Sequence, residues 1–213
     1  SIVSNLSLAG IVRYNNSVST PLIDIKIFIY DSMNNVVDST RTNHNGYYSF
    51  YNIAPGSYSI NSKSNKQWGG GNSTDALAIM QHFENMTMLN GLNHSAADVD
   101  GSGYVNTLDA FYVQQRFVNM IDQFPAGDWS FETGSVIPVN TNITGYNIAA
   151  MCFGDVNGSY LPPSVKLSPT ISLSTEGLLE VNTYETIEVP VRTVDVLEAG
   201  AVSLIMGYPS GVE

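Results

Sequence analysis

The sequence contains few positive charges and little charge of either sign. Eight Lys and Arg residues stand against nineteen Asp and Glu, which gives a net charge of −11 over 213 residues, and only 13% of the residues are charged. This balance disfavours binding to nucleic acid or to an anionic membrane surface, because both attract basic proteins. We therefore expect no nucleic-acid partner, and the charge favours a cation as ligand.

Cysteine and long apolar runs are also scarce. Cys152 is the single cysteine, so no intrachain disulfide framework can form, and the usual role of such a residue is that of a small buried apolar side chain. No apolar run reaches the roughly 18 residues of a membrane span, and the N-terminus lacks the basic start and apolar core of a signal peptide. We expect no membrane insertion and an export signal that has already been removed.

The first third of the chain has the alternating pattern of β-strands. Short runs between residues 6 and 62 alternate apolar and polar residues, and turn sequences such as NHNG and APG separate them. The pattern predicts a β-sandwich of about six or seven strands. Ser, Thr, Asn, Gly and Tyr are plentiful, which is typical of β-rich domains and often of cell-surface or secreted proteins.

The segment STRTNHNGYYSFYNIAPGSYSI resembles the transthyretin-like fold of carboxypeptidase regulatory-like and related bacterial surface domains. In that family an apolar strand is followed by T-x-x-x-G-x-Y-x-F and then by a P-G-x-Y turn. Six residues match this pattern, namely Gly46, Tyr48, Phe50, Pro55, Gly56 and Tyr58. The resemblance implies a structural spacer or a binding module. Some related adhesin domains carry a Lys–Asn isopeptide cross-link, but the first strand here has no lysine, which argues against one.

An internal repeat occupies the middle of the chain. NSTDALAIMQHFENM at 72–86 and NTLDAFYVQQRFVNM at 106–120 lie 34 residues apart and share Asn, Asp, Ala, Gln, Phe, Asn and Met at equivalent places. Each copy begins with polar capping residues and continues with apolar residues at helical spacing, which are Leu77, Met80 and Phe83 in one and Phe111, Val113 and Phe117 in the other. We predict two short helices that face each other.

A calcium loop precedes the second copy of the repeat. Read as a twelve-residue loop, DVDGSGYVNTLD at 98–109 places oxygen donors at positions 1, 3, 5, 7, 9 and 12, which are Asp98, Asp100, Ser102, the backbone carbonyl of Tyr104, Asn106 and Asp109. Calcium takes six to eight oxygens at about 2.3–2.6 Å, and alternate residues of a tight loop direct their side chains inward. The spacing predicts a continuous calcium site. The alternative is a solvated Asx-turn before a capped helix.

The end of this loop resembles the dockerin repeat, whose pattern D-x-N-x-D-G-x-x-N-S-x-D-A is approached by Asp98 to Ala110, with Ser102 in place of the usual Asp. Asn72 to Ala76 match the same ending in the first copy. Dockerins are paired calcium loop-helix modules that bind cohesin domains, so the resemblance implies a cohesin-type partner. In that family loop positions 10 and 11 select the partner, and by the motif these are Ser73, Thr74, Thr107 and Leu108.

The first copy of the repeat lacks the start of its loop. Thirty-four residues before Asp98, Asp100 and Ser102 stand Ser64, Lys66 and Trp68, which do not reproduce that set of ligands. GDVNGSY at 154–160 is the converse case, because it has a loop start and then runs into Pro162 and Pro163, which cannot continue as a helix. The two fragments are complementary.

We predict from this complementarity a second, split calcium site. Its loop positions 1, 3, 5, 9 and 12 would be Asp155, Asn157, Ser159, Asn72 and Asp75. It offers two carboxylates against three in the continuous loop, so we expect it to bind calcium more weakly. The alternative is that GDVNGSY is an ordinary turn.

The remaining patterns complete a modular layout. Three short runs at 121–153 look like small strands, and a fresh β pattern follows the two prolines. We assign residues 1–63 to a transthyretin-like sandwich and 64–163 to a dockerin-like calcium module with a β insertion at 121–153. Residues 179–213 resemble the start of a cohesin domain, so we assign 164–213 to part of one; any β-sandwich edge is the alternative. The fold class is mainly β with a small helical calcium module.

No catalytic motif of the G-x-S-x-G, H-E-x-x-H or C-x-x-C kind occurs, and we expect a non-enzyme. The predicted function is that of a calcium-stabilised structural segment of a large extracellular modular bacterial protein. One alternative is a dockerin that binds a cohesin-type partner to anchor an enzyme or adhesin. A neighbouring copy of the same chain is a further expected partner, whose sheet unpaired strands at the C-terminus would extend. A second is a carbohydrate-binding accessory region of a secreted hydrolase, in which Trp68 and Trp129 would stack on sugars.

Overall fold

The computed structural model describes residues 6–132 and 136–163, together with the backbone of two short strands at Leu173–Ser174 and Arg192–Thr193. Contacts divide the chain into two compact units, Ser1–Lys166 and Leu167–Glu213. In the second unit the two short strands pair antiparallel, with Leu173 opposite Thr193. The rest of the predicted cohesin-like part lies outside the described residues.

Five strands form within the first 63 residues. They are β1 (Leu6–Tyr14), β2 (Lys26–Tyr30), β3 (Val36–Arg41), β4 (Tyr47–Ile53) and β5 (Gly56–Lys63). In β2 alternate side chains point into the core, as a strand requires, since Ile27 and Ile29 are fully buried and the residues on either side of them are not. Gly46 explains the glycine of the G-x-Y-x-F pattern, because its φ is 73° and a Cβ there would lie 2.5 Å from the carbonyl oxygen of Val12.

Three further strands complete the sandwich: β6 (Trp129–Phe131), β7 (Ile137–Val139) and β8 (Ile148–Cys152). One sheet has the order β4-β1-β8-β6 and the other β3-β2-β5-β7. Strand β8 runs parallel to β1, and β7 runs antiparallel to β5. The expected β insertion at 121–153 is therefore corrected: its strands belong to the sandwich, because β1 and β5 would otherwise leave unpaired backbone groups beside the core.

The two sheets share one apolar core. Its largest fully buried side chains include Leu8, Ile25, Tyr48 and Phe50. The hydroxyl of Tyr48 donates a 2.6 Å hydrogen bond to the carbonyl of Tyr146, so this buried polar group is satisfied. The prediction of a mainly β chain with a small helical part is confirmed. Residues 6–63 form five strands rather than the six or seven expected, and the described sandwich has eight strands because β6, β7 and β8 join it.

Three helices follow β5 and precede β6: α1 (Ser73–Phe83), α2 (Gly91–Ala97) and α3 (Thr107–Phe117). Helices α1 and α3 start where the repeat predicts, and both begin with a capping box, formed by Asn72 with Asp75 and by Asn106 with Asp109. Helix α2 was not expected, because its seven residues GLNHSAA are too short to show helical periodicity.

Helices α1 and α3 contact each other, as the repeat predicts, but most of the predicted apolar residues are not buried. Their buried positions are Asp75, Ala76, Ile79 and His82 in α1 and Asp109, Ala110, Val113 and Arg116 in α3. Of the six apolar residues named from the spacing, Val113 is buried, whereas the exposed ones are Leu77, Met80, Phe83, Phe111 and Phe117. Each helix buries one aspartate, one alanine, one β-branched aliphatic residue and one basic residue, and exposes most of its large apolar side chains.

A second, smaller core lies around these helices. It includes Ile79, Val99, Val113 and Phe124, and Trp68 packs against both this core and the core of the sandwich.

Within residues 6–132 and 136–163 no helix has the length and apolar character needed to cross a membrane.

Candidate metal centre

The continuous loop brings three carboxylates together. One oxygen from each of Asp98, Asp100 and Asp109 lies within 4.8 Å of the others. Oxygens that bind one calcium ion at 2.3–2.6 Å can be at most about 5 Å apart, so this spacing is compatible with a shared ion.

Backbone amides hold these carboxylates in place. Asp98 accepts hydrogen bonds from the amides of Ser102 at 3.0 Å and Gly103 at 2.8 Å. Asp109, at the start of α3, accepts from the amides of Val99 at 2.9 Å and Asn106 at 2.8 Å. The carboxylate of position 12 is thereby tied to the beginning of the loop, as a closed metal loop requires.

The two fragments of the predicted split loop also meet. Asp75 and Asp155 are 80 residues apart in sequence, yet the amides of Val156 and Asn157 donate to Oδ1 of Asp75 at 3.0 and 3.2 Å. The juxtaposition that the split-site hypothesis requires is therefore present. Calcium binding at this place stays a prediction.

The two loops share a hydrogen-bond pattern. In both, the carboxylate at position 12 accepts from the amides of positions 2, 3 and 9. In both, the amide of position 5 donates to the side chains of positions 1 and 3; Ser102 does so at 3.0 and 2.9 Å and Ser159 at 3.1 and 2.8 Å. One local geometry is built once from twelve consecutive residues and once from two distant segments.

The asparagines at position 9 also cap their helices. Oδ1 of Asn72 accepts from the amide of Thr74 at 2.8 Å, and Oδ1 of Asn106 accepts from the amide of Leu108 at 2.8 Å. In calcium loops position 9 often acts through a water molecule, which is compatible with these capping bonds.

Gly70 supplies the seventh position of the split loop, which the sequence analysis missed. Its carbonyl accepts from Nδ2 of Asn72 at 2.9 Å, as the carbonyl of Tyr104 accepts from Asn106 at 3.4 Å. Its φ is 95°, and a Cβ there would lie 2.7 Å from Cγ of Asp155. The sequence contains the signal for this position, because Gly70 precedes Asn72 by two residues as Tyr104 precedes Asn106.

The sandwich reaches the split loop through Tyr14 of β1. Its hydroxyl donates to Oδ2 of Asp155 at 2.6 Å and accepts from the amide of Cys152 at 3.0 Å. Burial, and then the neighbouring Cys152 and Asp155, raise the pKa of Tyr14 far above its usual value, so the phenol keeps its proton and stays a donor. No sequence signal indicates this contact, because 141 residues separate the partners.

The buried carboxylates of the two loops form no ion pair with a basic residue in the described part of the chain. Asp75, Asp109 and Asp155 are each 0% exposed. The two ion pairs found among the described residues join other side chains, Arg41 with Asp24 and Arg116 with Asp128. Burial, and then the charge of Asp155, raise the pKa of Asp75 to about 6 in spite of its three amide hydrogen bonds. Burial raises the pKa of Asp109 as well.

The four residues implied in partner selection lie at the exposed starts of the helices. Ser73 and Thr74 begin α1, and Thr107 and Leu108 begin α3; all four are exposed. They stand beside, not inside, the two carboxylate clusters, which leaves them free of the proposed metal ligation.

The tryptophans of the carbohydrate-binding alternative both pack within the protein. The indole N–H of Trp68 donates to the carbonyl of Phe153 at 2.7 Å, and the guanidinium of Arg116 lies 4.0 Å from its ring. The indole N–H of Trp129 donates to the carbonyl of Lys66 at 3.0 Å. Each tryptophan also lines a pocket of about 380 Å³. The carbohydrate-binding alternative stays a prediction.

Comparison with known proteins finds similarity to modules of bacterial surface proteins. The model of the SdrD B-like domain family matches residues 14–92, less than half of the chain. The T6 backbone pilin of serotype M6 Streptococcus pyogenes, which has a modular three-domain structure, is 30% identical over 30% of this chain and 14% of its own, with a TM-score of 0.28. The Bacillus anthracis TIE protein is 17% identical over 27% of this chain and 11% of its own, with a TM-score of 0.23. No curated protein matches the chain.

The family match begins at the last residue of β1 and ends within α2, so it covers β2 to β5 of the sandwich and crosses the expected boundary at residue 63. It supports a modular β-sandwich protein of the bacterial surface with a structural rather than an enzymatic role. The dockerin-like and cohesin-like parts are not among these similarities.

Proposed function

We propose that the chain is a calcium-stabilised, non-catalytic segment of a large extracellular modular protein. The observation that carries the proposal is the complete burial of Asp75, Asp109 and Asp155 with no ion pair to a basic residue in the described part of the chain. Burying an ionised carboxylate is costly unless an opposite charge compensates it. One divalent cation in each loop would provide that charge.

Calcium suits the donor set better than other common metals. The positions that match a twelve-residue loop offer carboxylate, hydroxyl, amide and backbone oxygens, with no histidine or cysteine among them. Oxygen-rich, adaptable sites of this kind favour calcium, whereas zinc and copper prefer nitrogen and sulfur, and magnesium usually keeps several waters.

The split loop gives the ion a structural role. Residues 155–159 directly follow β8 of the sandwich, and Asn72 and Asp75 begin α1. A metal that joins these segments would fasten the helices to the sandwich, and closing so long a loop constrains the unfolded chain more than closing a short one. The continuous loop, in contrast, would stabilise mainly the start of α3.

Calorimetric titration of the chelator-treated full chain with calcium tests the proposal. We expect two ions per chain, the tighter one lost in Asp98→Asn and the weaker one in Asp155→Asn. Asp31→Asn is a matched control, because Asp31 also accepts backbone amides in a turn but lies outside both loops. The proposal fails if the wild-type chain binds no calcium or unfolds at the same temperature with and without chelator.

A second candidate function is binding of a cohesin-type domain, and exposed apolar residues favour it. The repeat places three equivalent pairs on the surface, namely Leu77 and Phe111 at 57% and 52%, Phe83 and Phe117 at 45% and 51%, and Met86 and Met120 at 74% and 71% exposure. Clusters of exposed large apolar residues mark interaction sites. Ser73 and Thr74 match a common family pair of partner-selecting residues, whereas Leu108 does not, so the two copies would present unequal faces.

Surface plasmon resonance with an immobilised cohesin domain tests this second candidate. Leu77→Glu combined with Phe111→Glu should abolish binding without lowering the melting temperature, and chelator should have the same effect on binding. Met33→Glu is the control, because Met33 is 78% exposed on the sandwich, far from the repeat in sequence. If no cohesin domain binds, the structural role stands alone.

A further inference from the structure

The two loops differ in what holds their first ligand. In the continuous loop, Oδ2 of Asp98 accepts from the amide of Gly103 at 2.8 Å. In the split loop, Oδ2 of Asp155 accepts from the equivalent amide of Tyr160 at 3.2 Å and also from the hydroxyl of Tyr14 at 2.6 Å. The split loop therefore has an additional donor, and it comes from the first strand of the sandwich.

The position of the Tyr14 hydroxyl is fixed from several sides. The residue is 1% exposed, and its ring makes edge-on contacts with the rings of Trp129 and Tyr160, at centroid distances of 5.8 and 5.6 Å. Its oxygen accepts from the amide of Cys152, the last residue of β8. The hydroxyl is thus held by β1, by the end of β8 and by Trp129 of the sandwich, and one ring of the loop, Tyr160, packs against it.

We infer that Tyr14 is a positioning residue for the split calcium site, an inference that rests on the proposed function. The hydroxyl of Tyr14 donates to Oδ2 of Asp155 from outside the loop and the amide of Tyr160 from within it, whereas Oδ1 accepts from the amide and hydroxyl of Ser159 at 3.1 and 3.4 Å, both within the loop. Tyr14 therefore orients the carboxylate and leaves Oδ1 on the loop side for the ion. Groups that orient metal ligands in this way affect metal affinity although they do not touch the metal.

Calcium affinity at the split site should consequently depend on the sandwich, while affinity at the continuous site should not. Tyr14→Phe removes one oxygen and keeps the aromatic contacts. Tyr48→Phe is a closely matched control, because Tyr48 is also 1% exposed in the same core and its hydroxyl also makes a 2.6 Å hydrogen bond, to the carbonyl of Tyr146. Both variants should lose thermal stability, and Tyr14→Phe somewhat more, because its hydroxyl makes two hydrogen bonds where that of Tyr48 makes one.

The test is calorimetric calcium titration of the full chain carrying Asp98→Asn, which leaves the split site as the one to be measured. Tyr14→Phe should weaken calcium binding there about tenfold. Tyr48→Phe should leave it within about twofold of the parent chain. In the chain without Asp98→Asn, neither substitution should change the affinity of the continuous site.

Each contrary result has a distinct meaning. If the Asp98→Asn chain binds no calcium, the proposed split site fails and this inference fails with it. If that chain binds calcium and Tyr14→Phe does not weaken binding, or Tyr48→Phe weakens it equally, Tyr14 does not position the site. A second measurement avoids reliance on one variant: once Asp155→Asn is present, Tyr14→Phe should reduce the calcium-dependent rise in melting temperature no further.

Discussion

Asp75→Asn should change the response of the calcium-free chain to pH. Asp75 is fully buried beside Asp155, and burial together with that second charge raises its pKa from 3.8 to about 6. Asparagine keeps an oxygen for the amides of Val156 and Asn157 but cannot ionise. The substitution therefore removes the titration while it retains part of the hydrogen bonding.

The sign of the effect follows from the direction of the shift. Because the folded-state pKa of Asp75 lies above its unfolded value, the folded chain holds this proton more tightly. The resulting stability is fully present below pH 3.8 and is lost as the pH rises through 6. At about 1.36 kcal/mol for each pKa unit, the loss for calcium-free protein approaches about 3 kcal/mol between pH 4 and pH 7.

Urea denaturation in chelator at pH 4 to 8 measures this loss. The free energy of unfolding of the wild type minus that of Asp75→Asn should fall with rising pH through this range. Hydrogen bonds from Asn35 lower the pKa of the exposed Asp31 below 3.8, so the stability from that carboxylate is already present above pH 4 and the same difference for Asp31→Asn should stay nearly constant from pH 4 to 8. Parallel pH profiles for the wild type and Asp75→Asn would refute the reasoning. Saturating calcium should abolish the fall, since the ion compensates the ionised carboxylate.

Three further predictions concern the loops and the junction between the cores. Gly70→Ala should abolish calcium binding at the split site. Gly91→Ala is the control, because Gly91 also has a positive φ but no atom lies within 4 Å of the new Cβ. The control should keep calcium binding at the split site and lower the free energy of unfolding by about 1 to 2 kcal/mol. Trp68→Ala, which removes the ring that packs against both cores, should lower the free energy of unfolding by about 3 to 5 kcal/mol in urea. At one calcium concentration that saturates both sites, Asp98→Asn should lower the free energy of unfolding more than Asp155→Asn, by about 1.4 kcal/mol for each tenfold difference in affinity, because an ion bound only by the folded chain stabilises it in proportion to the logarithm of its affinity; an equal loss would contradict this.

The sandwich could be predicted from sequence only where its signals are local. The strands within residues 6–63 could be predicted from the alternation of apolar and polar residues and from turn sequences such as the one at Gly46. The assignment of β6, β7 and β8 to the same sheets could not be derived, because strand pairing between residues as distant as Val12 and Ile148 leaves no trace in either segment. For that reason the domain boundary expected at residue 63 does not separate the strands of the sandwich from the rest of the chain.

The candidate site, too, could be predicted from sequence where its signals are local or repeated. The spacing of Asp98 to Asp109 is local and specifies the geometry of the continuous loop directly. The 34-residue repeat supplied the comparison that pairs Asp75 with Asp155, so even the long-range contact was accessible through internal symmetry. The role of Tyr14 could not be predicted, because no second tyrosine stands at an equivalent place with which it could be compared.

With calcium bound in both loops as we propose, the division of one site between residues 72–75 and 155–159 would also set an order of events during folding. All proposed ligands of the continuous loop lie within twelve residues, so that loop would capture its ion as soon as α3 begins to form. The other loop would close only once β8 pairs with β1 and brings Asp155 to Asp75. Calcium uptake would therefore proceed in two kinetic phases, and the slower phase would report the moment at which the last strand enters the sheet.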